Sequence, residues 1–304
     1  MANLKEIRTR ITSVESTMQI TSAMKMVSAA KLKRAQDAIT QMRPFAKKFN
    51  EILLNVSGSV EGGDHPLMKK NNGKKVLLIA LSSNRGLCGG FNSNVIKEIK
   101  RVIQENPDKV YSILPIGKKV FDAFKKSTLI NDNDLLPKDC ELIWDNLSYD
   151  YAVESIMKII TAFENNVYDE SFIIYNSFKN AAVQELINEK FLPVEPIEDS
   201  NESTSIDYIF EPNQEEILSD LIPNSLKIKF YKALLDSFAS EHGARMTAMH
   251  KATDNATEMK KELTLFYNKA RQASITSEIL EIVAGAEALG CLLYTSPSPR
   301  DAES

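Results

Sequence analysis

Apolar residues recur alternately three and four apart over long stretches at both ends of the chain, and the stretch between follows another rhythm. Stepping by four and three from Tyr231 reaches Leu235, Phe238, His242, Arg245, Met249, Ala252, Ala256, Met259, Leu263, Phe266, Ala270, Ala273, Ser277, Leu280 and Ala284. Thirteen of these sixteen positions are apolar, a seam too sustained for a helix that only covers a globular core. The same step from Leu4 passes Ile7, Ile11, Val14 and Met18, breaks at Thr21, Lys25 and Ser28, and resumes from Leu32 through Ala35, Ile39 and Met42 to Val56. Two such seams predict a long antiparallel two-helix coiled coil formed by the N- and C-terminal helices.

The middle changes period. Residues 58–73 carry Gly58, Gly62, Gly63, Pro66 and Gly73, which read as a linker. Residues 76–81 are a continuous apolar run of buried-strand type, followed by a Gly-rich turn, a helix over 92–105, a strand over 110–116 and another short helix. A helix over 151–165, a strand over 171–175 and an edge strand over 205–210 complete a βαβ rhythm. The resulting domains are 1–56, an N-terminal coiled-coil helix; 57–73, a linker; 74–212, an α/β domain; and 213–289, a C-terminal coiled-coil helix.

If both long helices leave the α/β domain at one height, residue i of the first lies level with about 269 minus i of the second, and the C-terminal helix overshoots by roughly 30 Å. That register sets Thr21, Lys25 and Ser28 beside His242 and Arg245, two polar breaks at one level. The alternative is a stutter that resets the first seam through Ile20, Met24 and Val27. Pro44 is a place for the first helix to bend.

Charge adds a direction. The whole chain carries net charge −4, but residues 1–48 hold ten Lys and Arg against Glu6, Glu15 and Asp37. The first helix therefore suits an acidic partner face, nucleic acid or an anionic surface, or is a solvated flank. The longest apolar run, 76–81, is far below the roughly 20 residues that cross a bilayer, and no secretory signal stands at the N-terminus, so the chain is expected in the cytoplasm. Cys88, Cys140 and Cys291 form no CxxC pair, and with three histidines they favour neither disulfides nor zinc.

Enzyme chemistry is hard to assemble. The turn 82–91 follows a strand and opens a helix, the place where phosphate loops occur, yet it has neither GxGxxG nor GxxxxGK[ST]. No catalytic residue, cofactor site or metal site is expected. Arg271, Gln272, Ser274 and Thr276 cluster hydrogen-bonding side chains on a helix without a partner, where they reach outward or fray.

These residues resemble one family closely. Lys5 to Arg8 with Ile20 to Ala29, Arg85 to Asn92, Ala252 to Asn255, and Tyr267 to Thr276 are similar to blocks of the gamma subunit of F-type ATP synthases, and with the order of elements they cover 1–289. The resemblance implies a Rossmann-like α/β domain and a non-catalytic central-stalk rotor. Its partners would be the alpha and beta subunits of the catalytic ring, an epsilon subunit and the membrane c-ring, with no nucleic acid. It would lie peripherally on the cytoplasmic side of a bacterial inner membrane. Carried over position by position, beta-subunit contacts fall on Met24, Lys25, Arg271 and Gln272, and membrane-ring contacts on Tyr208 and Glu211. The coiled-coil seam includes Leu4, Ile7, Ile11, Val14, Leu235, Phe238, Leu263 and Phe266. Gly243 stands where relatives usually have alanine, and Asn84 where aspartate is common. Residues 290–304, with Pro297 and Pro299, have no family counterpart and read as foreign sequence. The rivals are a coiled-coil scaffold and a nucleotide-binding α/β enzyme with a helical dimerisation arm; co-purification separates the first and nucleotide binding by the isolated chain the second.

Overall fold

The computed structural model describes residues 4–57, 66–69, 73–130, 135–138, 140–194 and 214–294. Its elements in chain order are α1 (Leu4–Ser57), β1 (Lys75–Leu81), α2 (Phe91–Glu105), β2 (Val110–Ile116), α3 (Lys118–Phe124), a 3₁₀ turn (Cys140–Trp144), α4 (Tyr149–Glu164), β3 (Glu170–Phe178), β4 (Gln184–Leu192) and α5 (Gln214–Tyr294). The chain divides into two compact units, Met1–Ala23 with His250–Ser304, and Met24–Met249.

In the larger unit a four-stranded sheet has the order β2-β1-β3-β4, with β1 parallel to both neighbours and β4 antiparallel to β3. β1 is apolar at every position from Val76 because both its faces are covered. Leu77, Ile79 and Leu81 face α4 and the start of α5, meeting Ile156, Phe163, Ile222 and Phe230. Val76, Leu78 and Ala80 face α2 and α3, meeting Val95, Ile99 and Val120. Each such side chain, once removed from water, contributes about 1.5 to 3 kcal/mol, so the double cover makes β1 the centre of the fold. α4 starts at Tyr149 because the Ser148 side chain accepts a hydrogen bond from the Tyr151 amide.

Two strands differ from the expectation. β3 runs three residues further than 175, and β4 was not anticipated at all. Gln184 to Lys190 mixes polar and apolar side chains on both faces, so an edge strand held by pairing to β3 leaves no alternation to read. The anticipated strand at 205–210 lies outside the described residues. α1 and α5 continue through Pro44 and Pro223 respectively. Also in this unit, Leu32, Ala35 and Ile39 of α1 pack against Leu235 and Ala239 of α5.

The smaller unit is an antiparallel helix pair. Thr21 and Thr253 share a hydrogen bond at 2.8 Å, Thr257 Oγ1 donates to Met18 Sδ at 3.4 Å, and Lys260 Nζ reaches Glu15 Oε1 at 3.0 Å. The paired numbers add to 274 or 275, so the helices are offset by about one and a half turns from the expected 269. By this register α5 has no α1 residue beside it, among the described residues, from about residue 272 onward.

The α5 stripe is also rotated. Met259 and Phe266 are half exposed at 51% and 52%, while Lys260, Leu263, Tyr267 and Ala270 are more covered. A 3.5-residue period fits both phases when small and amphipathic side chains alternate, and polar bonds from Thr253 and Lys260 to α1 decide between them. Phe266 is therefore corrected from a seam residue to an outer-face residue. On α1 the stutter reading also fails, because Ile20 and Val27 are exposed whereas Thr21 and Ser28 are buried.

Candidate functional site

β1 connects through α2 to β2 on one side, and β3 lies on the other, so the carboxyl end of β1 is the switch point where open α/β sheets bind ligands. Here the crevice is filled from within. Ser83 donates its amide to Asn92 Oδ1 at 3.0 Å and its hydroxyl to the Arg85 carbonyl at 2.7 Å. Asn92 Nδ2 donates to Ser83 Oγ and to Cys88 Sγ. The Phe91 and Asn94 amides, which open α2, bond to the Cys88 and Gly90 carbonyls. These bonds hold the shape of the turn itself.

Gly117, after β2, has φ 113°, and a Cβ there would stand 2.1 Å from the Ser82 carbonyl oxygen. Only glycine lets the two strand ends approach this closely. Asn84 donates to the Glu141 carbonyl and accepts from the Lys118 amide, using both ends of its amide where an aspartate could only accept.

α5 closes the crevice. The Arg245 guanidinium donates to the Arg85 carbonyl at 3.0 Å, to the Gly86 carbonyl at 3.3 Å and to Glu241 Oε1 at 2.6 Å. Beside them Gly243 lies against the β3–β4 hairpin: a Cβ would meet Phe178 and Ala181 at 3.3 to 3.4 Å, so this glycine allows close packing. Thr247 Oγ1 donates to the Ala181 carbonyl at 2.9 Å. Arg245 thus faces the α/β turn, and the partner of Thr21 is Thr253, so Thr21 does not take its expected place beside His242 and Arg245.

Burial, then the charges of Arg245 and Lys31, depress the His242 pKa to about 3, which leaves its ring neutral at pH 7. Burial also raises the Glu241 carboxyl, against the opposing charge and hydrogen bond of Arg245, and raises the Cys88 thiol. A depressed histidine stabilises the fold above its unfolded value near 6.5, and that contribution is lost as pH falls toward 3. His242→Gln should therefore flatten the acid side of the stability profile, by on the order of 1 to 2 kcal/mol between pH 7 and 5. Urea midpoints at both pH values check this; an equal slope in the variant contradicts it.

The other anticipated residues fall as follows. Met24 and Lys25 are half-buried on α1, flanked by exposed Met26 and Val27. Arg271 and Gln272 are exposed on α5, and Tyr208 and Glu211 lie outside the described residues. Ile7 is buried, Leu4, Ile11, Val14 and Leu263 are half-buried, and Leu235 is buried in the larger unit. Phe238 stacks on Trp144 at 6.2 Å and meets His242 edge-on at 4.5 Å. Further along α5, Ile275, Ile279, Leu280, Ile282 and Val283 are all exposed, an apolar patch with no intramolecular cover among the described residues. Sequence reasoning missed the Arg245 fork, since its acceptors are backbone carbonyls about 160 residues away.

A cavity of about 810 Å³ between α1, the β3–β4 hairpin and α5 is rimmed by Arg43, Lys47, Lys229 and Lys232, with Glu189 and Asp236 also in its wall. It holds no histidine or cysteine, and among the described residues no three His, Cys, Asp or Glu are grouped to hold a metal. No described helix is long and apolar enough to cross a membrane.

An antiparallel helix pair whose longer member outruns its partner, with apolar residues exposed beyond it, places the chain among helical coiled-coil proteins. Comparison with known proteins gives the family. The ATP synthase family model matches residues 3–289. The ATP synthase gamma chain of Flavobacterium psychrophilum is 55% identical over 290 residues, covering 95% of this chain and 99% of that one. That of Geobacter metallireducens is 43% identical over the same shares. A chain of the Euglena gracilis mitochondrial ATP synthase has the same fold at TM-score 0.69 and 22% identity, covering 99% and 98%. One from the Tetrahymena thermophila mitochondrial ATP synthase central stalk and c-ring gives TM-score 0.54 at 25% identity, covering 77% and 99%. The chain belongs to the ATP synthase gamma-chain family.

Proposed function

We propose that this chain is the central-stalk rotor subunit of an F-type ATP synthase, carrying torque between the ion-translocating c-ring and the catalytic alpha/beta ring while catalysing nothing itself. The observation that carries this reading is the uncovered apolar end of α5, a surface that asks for a surrounding sleeve and that a globular enzyme would bury. Relatives named as ATP synthase gamma chains, and the 25% identical Tetrahymena chain from a structure titled as a central stalk and c-ring, support it. The chain is part of a membrane-associated complex, and in this reading it lies peripherally on the cytoplasmic face of a bacterial inner membrane.

Within that assembly Met24 and Lys25, and at the far end Arg271 and Gln272, are the beta-subunit contacts; Tyr208 and Glu211 meet the c-ring, and an epsilon subunit completes the stalk. Cations that keep access to water at a moving interface, half-buried Lys25 and exposed Arg271, give steering and revisable contacts, where a dry, buried pair would trap the shaft in one position. The variant Lys25→Ala with Arg271→Ala is expected to fold and assemble normally yet stall at lower load. Single-molecule rotation against viscous drag reads this, and unchanged torque removes both residues from the contact set.

A further inference from the structure

The turn between β1 and α2 is held in a shape its own residues do not favour. Leu87 sits at φ 63°, a left-handed conformation that strains a non-glycine residue. Its side chain is 64% exposed, so little burial offsets the strain. Bonds among Ser83, Cys88 and Asn92 hold part of the turn from within, and among the described residues the side chain shown donating to its Arg85 and Gly86 carbonyls from another element is that of Arg245.

Arg245 and Glu241 are 6% and 7% exposed, a charge pair withdrawn from water. An apolar pair of similar volume is often at least as stable, so stability alone does not account for it. A guanidinium fork gives direction: three donors meet Arg85, Gly86 and Glu241 at once, whereas apolar side chains slide over one another. On the neighbouring turn of α5, Thr247 is tied to Ala181 of the β3–β4 hairpin, with Gly243 allowing the close approach.

We propose that the Arg245–Glu241 pair is a latch that locks the 85–90 turn to α5, so that the sheet and this stretch of the helix move as one body when the rotor is loaded. Arg245 is a positioning residue, acting through the turn's carbonyls. The load-bearing half rests on the rotor reading; the latch itself does not, because it also governs Cys88. That thiol is buried against Phe91 and Ala244 and accepts a hydrogen bond from Asn92. An open latch exposes it.

The test uses the assembled enzyme with Cys140 and Cys291 replaced by alanine, comparing Arg245→Ala and Arg245→Lys with the parent. Lysine keeps a cation beside Glu241 but lacks the fork, so it remains readable where the alanine variant fails to assemble. Labelling of Cys88 by N-ethylmaleimide is expected to quicken about tenfold or more, as local opening becomes easier. Rotation under load should slow at least about twofold while unloaded ATP hydrolysis stays within about twofold, a split that general loosening of the fold would not give. Cys88 protection equal to the parent's overturns the latch. Faster labelling with loaded rotation unchanged overturns its load-bearing role and leaves the rotor reading intact, whereas a parent enzyme that does not rotate removes the rotor reading while the labelling still judges the latch.

Discussion

Replacing Gly117 with alanine is expected to destabilise the α/β unit by roughly 3 kcal/mol or more. Two effects add. At φ 113° an alanine is strained, and its Cβ would stand 2.1 Å from the Ser82 oxygen and 2.7 Å from its carbon, both backbone atoms with little freedom to move. Ser82 cannot retreat cheaply, because its amide bonds to the Ile116 carbonyl and its hydroxyl accepts from the Val120 amide. Against a typical total of 5 to 15 kcal/mol such a loss is severe. Trp144, the chain's single tryptophan, is buried against Phe238 and reports unfolding by fluorescence. A urea midpoint in Gly117→Ala equal to the parent's would mean that the β1 and β2 ends do not approach as described.

The second large effect tests whether Phe266 lies in the seam, with buried Ala256 as the reference position. Ala256→Asp places a carboxylate at a position 9% exposed between the helices, whereas Phe266→Asp places one on the outer face. Burying an unpaired charge costs several kcal/mol, and a surface change away from special features stays within about 0.5 kcal/mol. Cysteines at positions 21 and 253, where the hydroxyls are 2.8 Å apart, provide the readout. Oxidation should link them in the parent and in Phe266→Asp but not in Ala256→Asp. The reverse order would restore Phe266 to the seam.

Those two experiments also mark what could be read from the chain alone. The stripe Thr21, Ser28, Leu32, Ala35 and Ile39 falls on buried positions because α1 keeps one face toward covered surface, and a fixed period then reports it directly. On α5 the same period is ambiguous, since Phe266 and Tyr267, or Met259 and Lys260, are equally plausible in sequence and only cross-helix bonds separate them. β1 was legible from its unbroken apolar run. β4 was hidden by its edge position, which removes the need for alternation.

The sequence of 82–91 sets a phosphate loop aside for want of a motif and favours a tightly packed strand-to-helix turn; in the structure Ser83 and Asn92 bond within that turn and Arg245 donates to its Arg85 and Gly86 carbonyls. That arginine stood on the predicted seam as an apparent interruption. Nothing local distinguishes a polar break that faces another helix from one that faces a distant turn. The contacts with other subunits were reached through resemblance, because a surface that is satisfied only in an assembly leaves no partner in its own sequence.

The claim on which all of this depends is that the chain turns inside the catalytic ring. With the alpha/beta ring fixed to a surface and a bead attached to the α/β unit through a cysteine introduced at exposed Ser93, ATP should drive unidirectional rotation of the bead. ATP hydrolysis at full rate with the bead stationary would contradict the account.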